Sequence, residues 1–274
     1  MTPSTTGYIN IGDANLYYEI AGEGSTIVLG HAGFVDSRMW DAQWSLLASH
    51  YRVVRFDLRG YGRSDRAHAP VSRRHDLARF LDALHIDHTA LIGCSLSAEA
   101  MLDFALEHPS RVSALALISA VPSGFELQGE PPPHLFEMIG ALQSNDLEQA
   151  SEYQLRLWLD GMFRQPHQVD SALRQRVAEM NRIAVANGTW LIADSQPVDP
   201  LTPPALDRLA QLTTPTLIVT GQLDHPELLR AADVMAASLP HAQKHIIPAA
   251  AHLPSMEQPA IFNPVLLNFL NTAI

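Results

Sequence analysis

Residues 89–106 constrain the fold more than any other stretch, because an apolar run gives way within a few residues to a helix-forming one. Residues 89–92 read as a buried strand, and residues 96–106 have the apolar spacing and alanine content of a helix. Between them stands Gly93-Cys94-Ser95-Leu96-Ser97. A serine on so sharp a strand-to-helix turn projects its hydroxyl above the sheet edge, while the N–H of Leu96, at the helix start, faces an incoming carbonyl oxygen. In the Gly-x-Ser-x-Gly form of this turn the last position is glycine, and here it is Ser97. Taken alone, the pattern also fits an ordinary turn, so the rest of the chain has to decide.

The same rhythm extends in both directions. Residues 8–11 and 16–20 alternate about Gly12-Asp13-Ala14-Asn15 and predict an edge hairpin. Strands are expected at 26–29, 52–56, 112–118, 216–220 and 244–247, and helices at 36–48, 72–84, 203–212 and 226–239. Ser255-Met256-Glu257-Gln258 has capping-box spacing and is expected to open the last helix, with Ile261, Phe262, Leu266, Phe269 and Leu270 on its apolar face. Strands alternating with helices predict an α/β fold, a mostly parallel sheet covered on both faces, with function at the strands' C-terminal ends.

The alternation breaks between residues 122 and 204. Strand-like runs disappear, and helices are expected near 134–142, 147–163, 169–186 and 189–193. The chain therefore divides into a first core half (1–121), a helical cap insertion (122–204) and a second core half (205–274). Phe125, Trp158, Phe163 and Trp190 are the insertion's candidates for lining an apolar substrate pocket, although residues of this kind more often pack an insertion's own core.

Composition removes several function classes. With 18 Lys+Arg against 29 Asp+Glu the formal charge is −11, and no basic run resembles a nucleic-acid footprint. The start of the chain lacks a basic segment followed by an apolar core, and no apolar run approaches the ~18 residues of a membrane span, so a cytoplasmic protein with no membrane partner is expected. Cys94 is the only cysteine, excluding an internal disulfide, and beside Ser95 it reads as a buried packing residue rather than a nucleophile. The thirteen histidines lack a carboxylate-rich surrounding pattern, so no metal is expected.

A serine hydroxyl is a weak nucleophile and needs a base, which in turn needs an orienting acceptor. His252 and Asp224 each follow a strand of the expected sheet, and the order Ser95, Asp224, His252 suits a nucleophile elbow. His31 is the rival base. It precedes the serine, in the loop Gly30-His31-Ala32-Gly33-Phe34 that follows strand 26–29. The backbone N–H of Gly33 or Phe34 is the candidate partner of Leu96 N–H in an oxyanion hole. The loop Asp57-Leu58-Arg59-Gly60-Tyr61-Gly62-Arg63-Ser64-Asp65 reads as structural.

Together, Gly30-His31-Ala32-Gly33, the 57–64 run, Gly93-Cys94-Ser95-Leu96-Ser97, Gly221-Gln222-Leu223-Asp224 and His252-Leu253-Pro254-Ser255-Met256-Glu257 resemble the alpha/beta-hydrolase superfamily over nearly the whole chain. In style the chain is similar to small-ester esterases and enol-lactone hydrolases of that superfamily. The resemblance implies an alpha/beta-hydrolase fold, a small-molecule ester or lactone substrate and no cofactor. It leaves open carbon–carbon bond hydrolysis, perhydrolysis or acyl transfer by the same serine, and a receptor that uses the pocket for binding. Two positions depart from the pattern: alanine follows His31, displacing glycine to Gly33, and Ser97 replaces the elbow's last glycine.

Overall fold

β-Branched and leucine-rich runs of five to seven residues pair into one eight-stranded sheet in the computed structural model, which describes residues 4–196 and 198–274. The strands are β1 (Ser4–Asn10), β2 (Asn15–Ala21), β3 (Thr26–Gly30), β4 (Arg52–Phe56), β5 (Thr89–Cys94), β6 (Val112–Ile118), β7 (Thr216–Gly221) and β8 (Ala242–Ile247). They lie in the order β1-β2-β4-β3-β5-β6-β7-β8. The expected hairpin is the antiparallel edge, β1 on β2 and β2 on β4, and the remaining pairs are parallel. The strand order doubles back across β3, β4 and β5, so the ends of β3 and β5 lie side by side near the middle of the sheet.

The helices are α1 (Asp41–Ala48), α2 (Arg73–Ala83), α3 (Leu96–Glu107), α4 (Leu135–Gln143), α5 (Leu147–Gln154), α6 (Ser171–Ala186), α7 (Ala205–Arg208), α8 (Pro226–Ser238), α9 (Pro254–Glu257) and α10 (Pro259–Ala273). Strand side chains alternate between faces, which separates the interior into two cores. Val28, Val54, Leu91 and Leu115 pack with Phe80, Phe104 and Met235 from α2, α3 and α8. Ile27, Leu29, Val53 and Ile92 pack on the other face with Leu47, Phe262 and Leu266 from α1 and α10. The fold is therefore the expected α/β architecture, covered on both faces.

Between Ile118 and Thr216 the chain forms no strand among the described residues. Helices α4–α6 and the stretch Leu155–Asp160 after α5 enclose a small core of Met138, Leu142, Ala150, Leu157 and Val185, and send Leu155, Leu159, Val177 and Met180 into the core on the α1/α10 face. The expected helix 147–163 is α5 continued by a π-helical stretch, Leu155–Asp160, and stopped by Gly161 at φ 69°. The expected helix 36–48 begins as a 3₁₀ turn, Ser37–Trp40, capped by the Asp36 carboxylate on Arg38 N–H.

The expected opening of the last helix is corrected. Pro259 cannot donate the backbone bond that would carry α9 into α10, and the chain breaks at Gln258 (φ −134°, ψ 56°). The Ser255 hydroxyl has no hydrogen-bond partner among the described residues, and the Glu257 carboxylate is engaged elsewhere.

Candidate active site

Ser95 sits at the C-terminal end of β5 with φ 52° and ψ −115°, a conformation that costs a side-chain-bearing residue energy and is held by its surroundings. Its N–H donates to Ile118 O (2.8 Å), and its carbonyl accepts Glu99 N–H (3.0 Å) in the first turn of α3. A Cβ at Gly93 would lie 2.7 Å from the backbone of Ala98, so glycine is what lets β5 and α3 meet this closely. Ser97 finds its room across the turn: a Cβ at Gly30 would lie 2.6 Å from Ser97 Cβ. The Ser97 hydroxyl also donates to His31 O (2.6 Å), tying the elbow to the β3 loop.

Asp224 and His252 reach the same sheet end from β7 and β8. Any side chain at Gly221 would run into the carbonyls of Ala250 and Ala251, so this glycine allows the His252 loop to cross close over β7. Leu223 N–H donates to Ala250 O (2.8 Å), joining the two loops. His252 Nδ1 lies 3.0 Å from Asp224 Oδ2 and 3.1 Å from Oδ1, and each residue is 3% exposed. With the carboxylate accepting, Nδ1 carries the proton and Nε2 keeps a lone pair. Asp224 Oδ1 is fixed further by the N–H of His225 (2.8 Å).

His31 is occupied on both ring nitrogens. Leu58 N–H donates to Nε2 (2.9 Å), so the proton is on Nδ1, which donates to Ala32 O (2.8 Å). Burial of the whole ring pushes its pKa down, keeping it neutral. Nothing remains on it to take a proton from Ser95. Cys94 is fully buried, its thiol pushed well up by burial, as fits a packing residue. Asp57 accepts from Ser37 N–H and Arg63 N–H (both 2.8 Å), and so shapes its own loop.

The N–H groups of Gly33, Phe34 and Leu96 have no acceptor among the described residues. The carbonyls of the first two are anchored: Gly33 O accepts from the Tyr61 hydroxyl (2.6 Å), and Phe34 O from Asn181 Nδ2 (3.0 Å). That anchoring fixes how the β3 loop presents its N–H groups, which is what stabilising a developing oxyanion demands.

Of the four expected pocket aromatics, the structure brings Trp158 to the site. Its ring centroid is 4.9 Å from that of His252 and 6.4 Å from that of Phe34, and its carbonyl accepts His252 N–H (3.3 Å). Trp158 also borders a cavity of about 140 Å³ beside His225. The other three lie elsewhere: Phe125 packs under the Arg230 guanidinium (4.0 Å), Phe163 is 56% exposed, and Trp190 packs against the α4–α6 core. An aromatic sequence signal reports burial or contact area without saying against what, so it could not distinguish these cases.

Sequence reasoning missed Glu257 and Arg164. Glu257 accepts the N–H groups of Ala251 (2.9 Å) and Leu253 (3.1 Å), the residues on either side of His252. Its other oxygen pairs with Arg164 (2.6 Å), which also donates to Leu159 O and Asp160 O. The spacing that resembled a helix cap is thus a carboxylate folding back over the His252 loop.

Residues 25–259 match the family described as alpha/beta hydrolase fold. The chain is 25% identical to 2-hydroxy-6-oxo-6-phenylhexa-2,4-dienoate hydrolase of Burkholderia cepacia, covering 97% of this chain and 96% of that protein. It is 27% identical to pimeloyl-[acyl-carrier protein] methyl ester esterase of Yersinia enterocolitica, with 93% and 96% covered. The crystal structure of an enol-lactonase from Burkholderia xenovorans LB400 superposes with a TM-score of 0.78 at 20% identity, over 97% of this chain and all of that one. With an eight-stranded sheet of this order, an elbow at the end of β5 and a family match over most of its length, the chain belongs to the alpha/beta hydrolase fold family.

Proposed function

We propose that the protein is a serine hydrolase of carboxylic esters or lactones that works through an acyl-enzyme on Ser95. Ser95 Oγ attacks the substrate carbonyl carbon, its proton passes to His252 Nε2, and the carbonyl oxygen takes up negative charge facing Leu96 N–H and the N–H of Gly33 or Phe34. The tetrahedral centre then expels the alkoxide, which receives the proton from His252. Water repeats the sequence in reverse, leaving free acid and free serine. Asp224 stabilises the imidazolium formed in each half. A lactone is an internal ester and follows the same steps, with the leaving alcohol still attached to the acyl group.

The observation that carries this reading is the Asp224–His252 pair, buried and singly oriented, at the same sheet end as a serine on a positive-φ elbow. The full-length likeness to the Yersinia methyl ester esterase supports ester chemistry. The likeness to the Burkholderia cepacia dienoate hydrolase supports the second reading, hydrolysis of a carbon–carbon bond by the same residues. The helices between β6 and β7 are proposed to cap the site, because Trp158 lies against His252.

Labelling with a fluorophosphonate, followed by turnover of p-nitrophenyl esters, lactones and vinylogous diketones, tests the proposal. Ser95 should carry the label, and Ser95→Ala should lose at least ~10³-fold in ester turnover. Full ester turnover in that variant would sink the assignment, and turnover of diketones alone would favour the second reading.

A further inference from the structure

A cavity of about 200 Å³ borders the elbow at Leu96, walled by Arg73 and Arg74 at the start of α2, by Glu99 and Asp103 of α3, and by Asp194, Gln196 and residues 198–201. Its ionisable lining is four carboxylates, Glu99, Asp103, Asp194 and Asp199, against two guanidinium groups. Most are already matched. Arg73 pairs with Asp194 (2.7 Å), Arg74 with Glu107 (3.0 Å) and Asp199 (3.5 Å), and Asp103 accepts from the Ser123 hydroxyl (2.8 Å).

Two groups are left over. Glu99, partly buried, makes no side-chain hydrogen bond or ion pair among the described residues, and Arg74, 7% exposed, leaves Nη1 without a partner. Glu99 lies four residues beyond Ser95, and its N–H donates to Ser95 O (3.0 Å), so the first turn of α3 joins the two. The cavity is also joined to the β3 loop, because the Tyr61 hydroxyl, with one proton for two acceptors, lies 2.6 Å from Gly33 O and 2.8 Å from Asp194 Oδ2.

We propose that this cavity is the polar end of the substrate site and that Glu99 selects esters or lactones whose acyl arm carries an ammonium group. The choice of a cation follows from the charge balance: both guanidinium groups are neutralised by the protein, whereas Glu99 is not. Arg74 Nη1 then suits a neutral acceptor, such as a hydroxyl or carbonyl, beside the ammonium. Burial and the neighbouring Asp103 charge push the Glu99 carboxyl up to about 7, as expected of a carboxylate lacking its counter-charge. Leaving it there costs stability, and groups held at such a cost concentrate at sites that bind or react. An acyl arm of five methylenes spans roughly the one helical turn from Ser95 to Glu99.

The inference rests on Ser95 being the nucleophile, so the test has one arm that depends on turnover and one that does not. Three p-nitrophenyl esters of matched length are compared: 6-aminohexanoate, heptanoate and the adipate half ester. Wild type should favour the amino ester over heptanoate by about tenfold in kcat/KM, and Glu99→Gln should erase that preference. The preference should also grow from pH 6 to 8 as Glu99 ionises beside Asp103, Asp194, Asp199, Arg73 and Arg74.

In the second arm hexylammonium should raise the melting temperature of wild type but not of Glu99→Gln, whether or not any ester is cleaved. A preference for the adipate half ester, an amino preference that survives Glu99→Gln, or a thermal shift equal in both proteins would overturn the proposal. Loss of Ser95 labelling with the thermal shift intact would instead overturn the serine mechanism and leave the ammonium site standing.

Discussion

Ser97 fits beneath the elbow because Gly30 faces it across the turn, with a hypothetical Gly30 Cβ only 2.6 Å from Ser97 Cβ. Gly30→Ala should therefore destabilise the fold by about 2 kcal/mol through overpacking. Ser97→Gly should cost about 1 kcal/mol, through the lost bond to His31 O and added helix entropy. In the double variant the freed space should return part of the Gly30→Ala loss, giving a coupling of about 1 kcal/mol between the two positions, read from denaturant midpoints. Additive costs would show that the two residues do not share this space. A second residue-scale effect comes from Glu99. The folded carboxyl keeps its proton to about pH 7, whereas the unfolded one loses it near 4.5. Between those values the folded state binds more protons, so this group's contribution makes stability fall as pH rises. Glu99→Gln should gain about 2 kcal/mol over wild type at pH 8 and almost nothing at pH 4, measured by denaturant unfolding. Equal gains at both pH values would mean that Glu99 ionises freely.

The loop bearing His252 is held by an element the sequence hides. Glu257 binds the N–H groups on either side of the histidine, and Arg164 clamps Glu257 from the chain just after the π-helical stretch that carries Trp158. Arg164→Ala should strand a buried carboxylate, at a cost of about 3 kcal/mol. Burial already raises the Glu257 pKa while Arg164 lowers it, so removing the arginine moves it further up. The deficit should thus be greater at pH 8, where Glu257 must be charged, than at pH 5, where it can take a proton. A pH-independent deficit would show that the ion pair is not what Arg164 supplies. The contrast between this pair and the strands explains what was readable beforehand. Strand alternation and the turns that carry Ser95, Asp224 and His252 are local patterns with strong periodic or turn signatures, and the structure places those turns after β5, β7 and β8. Glu257 is local too, but its bonds run to backbone N–H groups, which leave no residue-type signature. Arg164 reaches it across 93 residues, a distance over which spacing says nothing.

At the scale of the whole molecule, the sheet supplies Ser95, Asp224, His252 and the β3 loop, while the chain between β6 and β7 supplies Trp158, Asn181 and Asp194 around them. Under the proposed mechanism this division would let reactivity and substrate choice vary separately, because the first set is anchored by strand ends and the second by helices with a core of their own. Trp158 is where the two sets touch. Its indole packs on the His252 ring and beside Phe34, so in the proposed mechanism truncation opens space next to the reacting carbonyl without removing a group that transfers a proton. Trp158→Ala should therefore reorder kcat/KM among esters of increasing acyl size, favouring bulkier chains by roughly tenfold, the scale of one or two buried methylenes in a pocket. The rate of fluorophosphonate labelling should change much less, because that small probe needs the elbow and the imidazole rather than the indole. A folded Trp158→Ala variant with an unchanged ester ranking would show that the indole only closes over the histidine. A variant that loses labelling in step with every ester would show instead that Trp158 holds His252 in position, placing it with Glu257 as a support of the base.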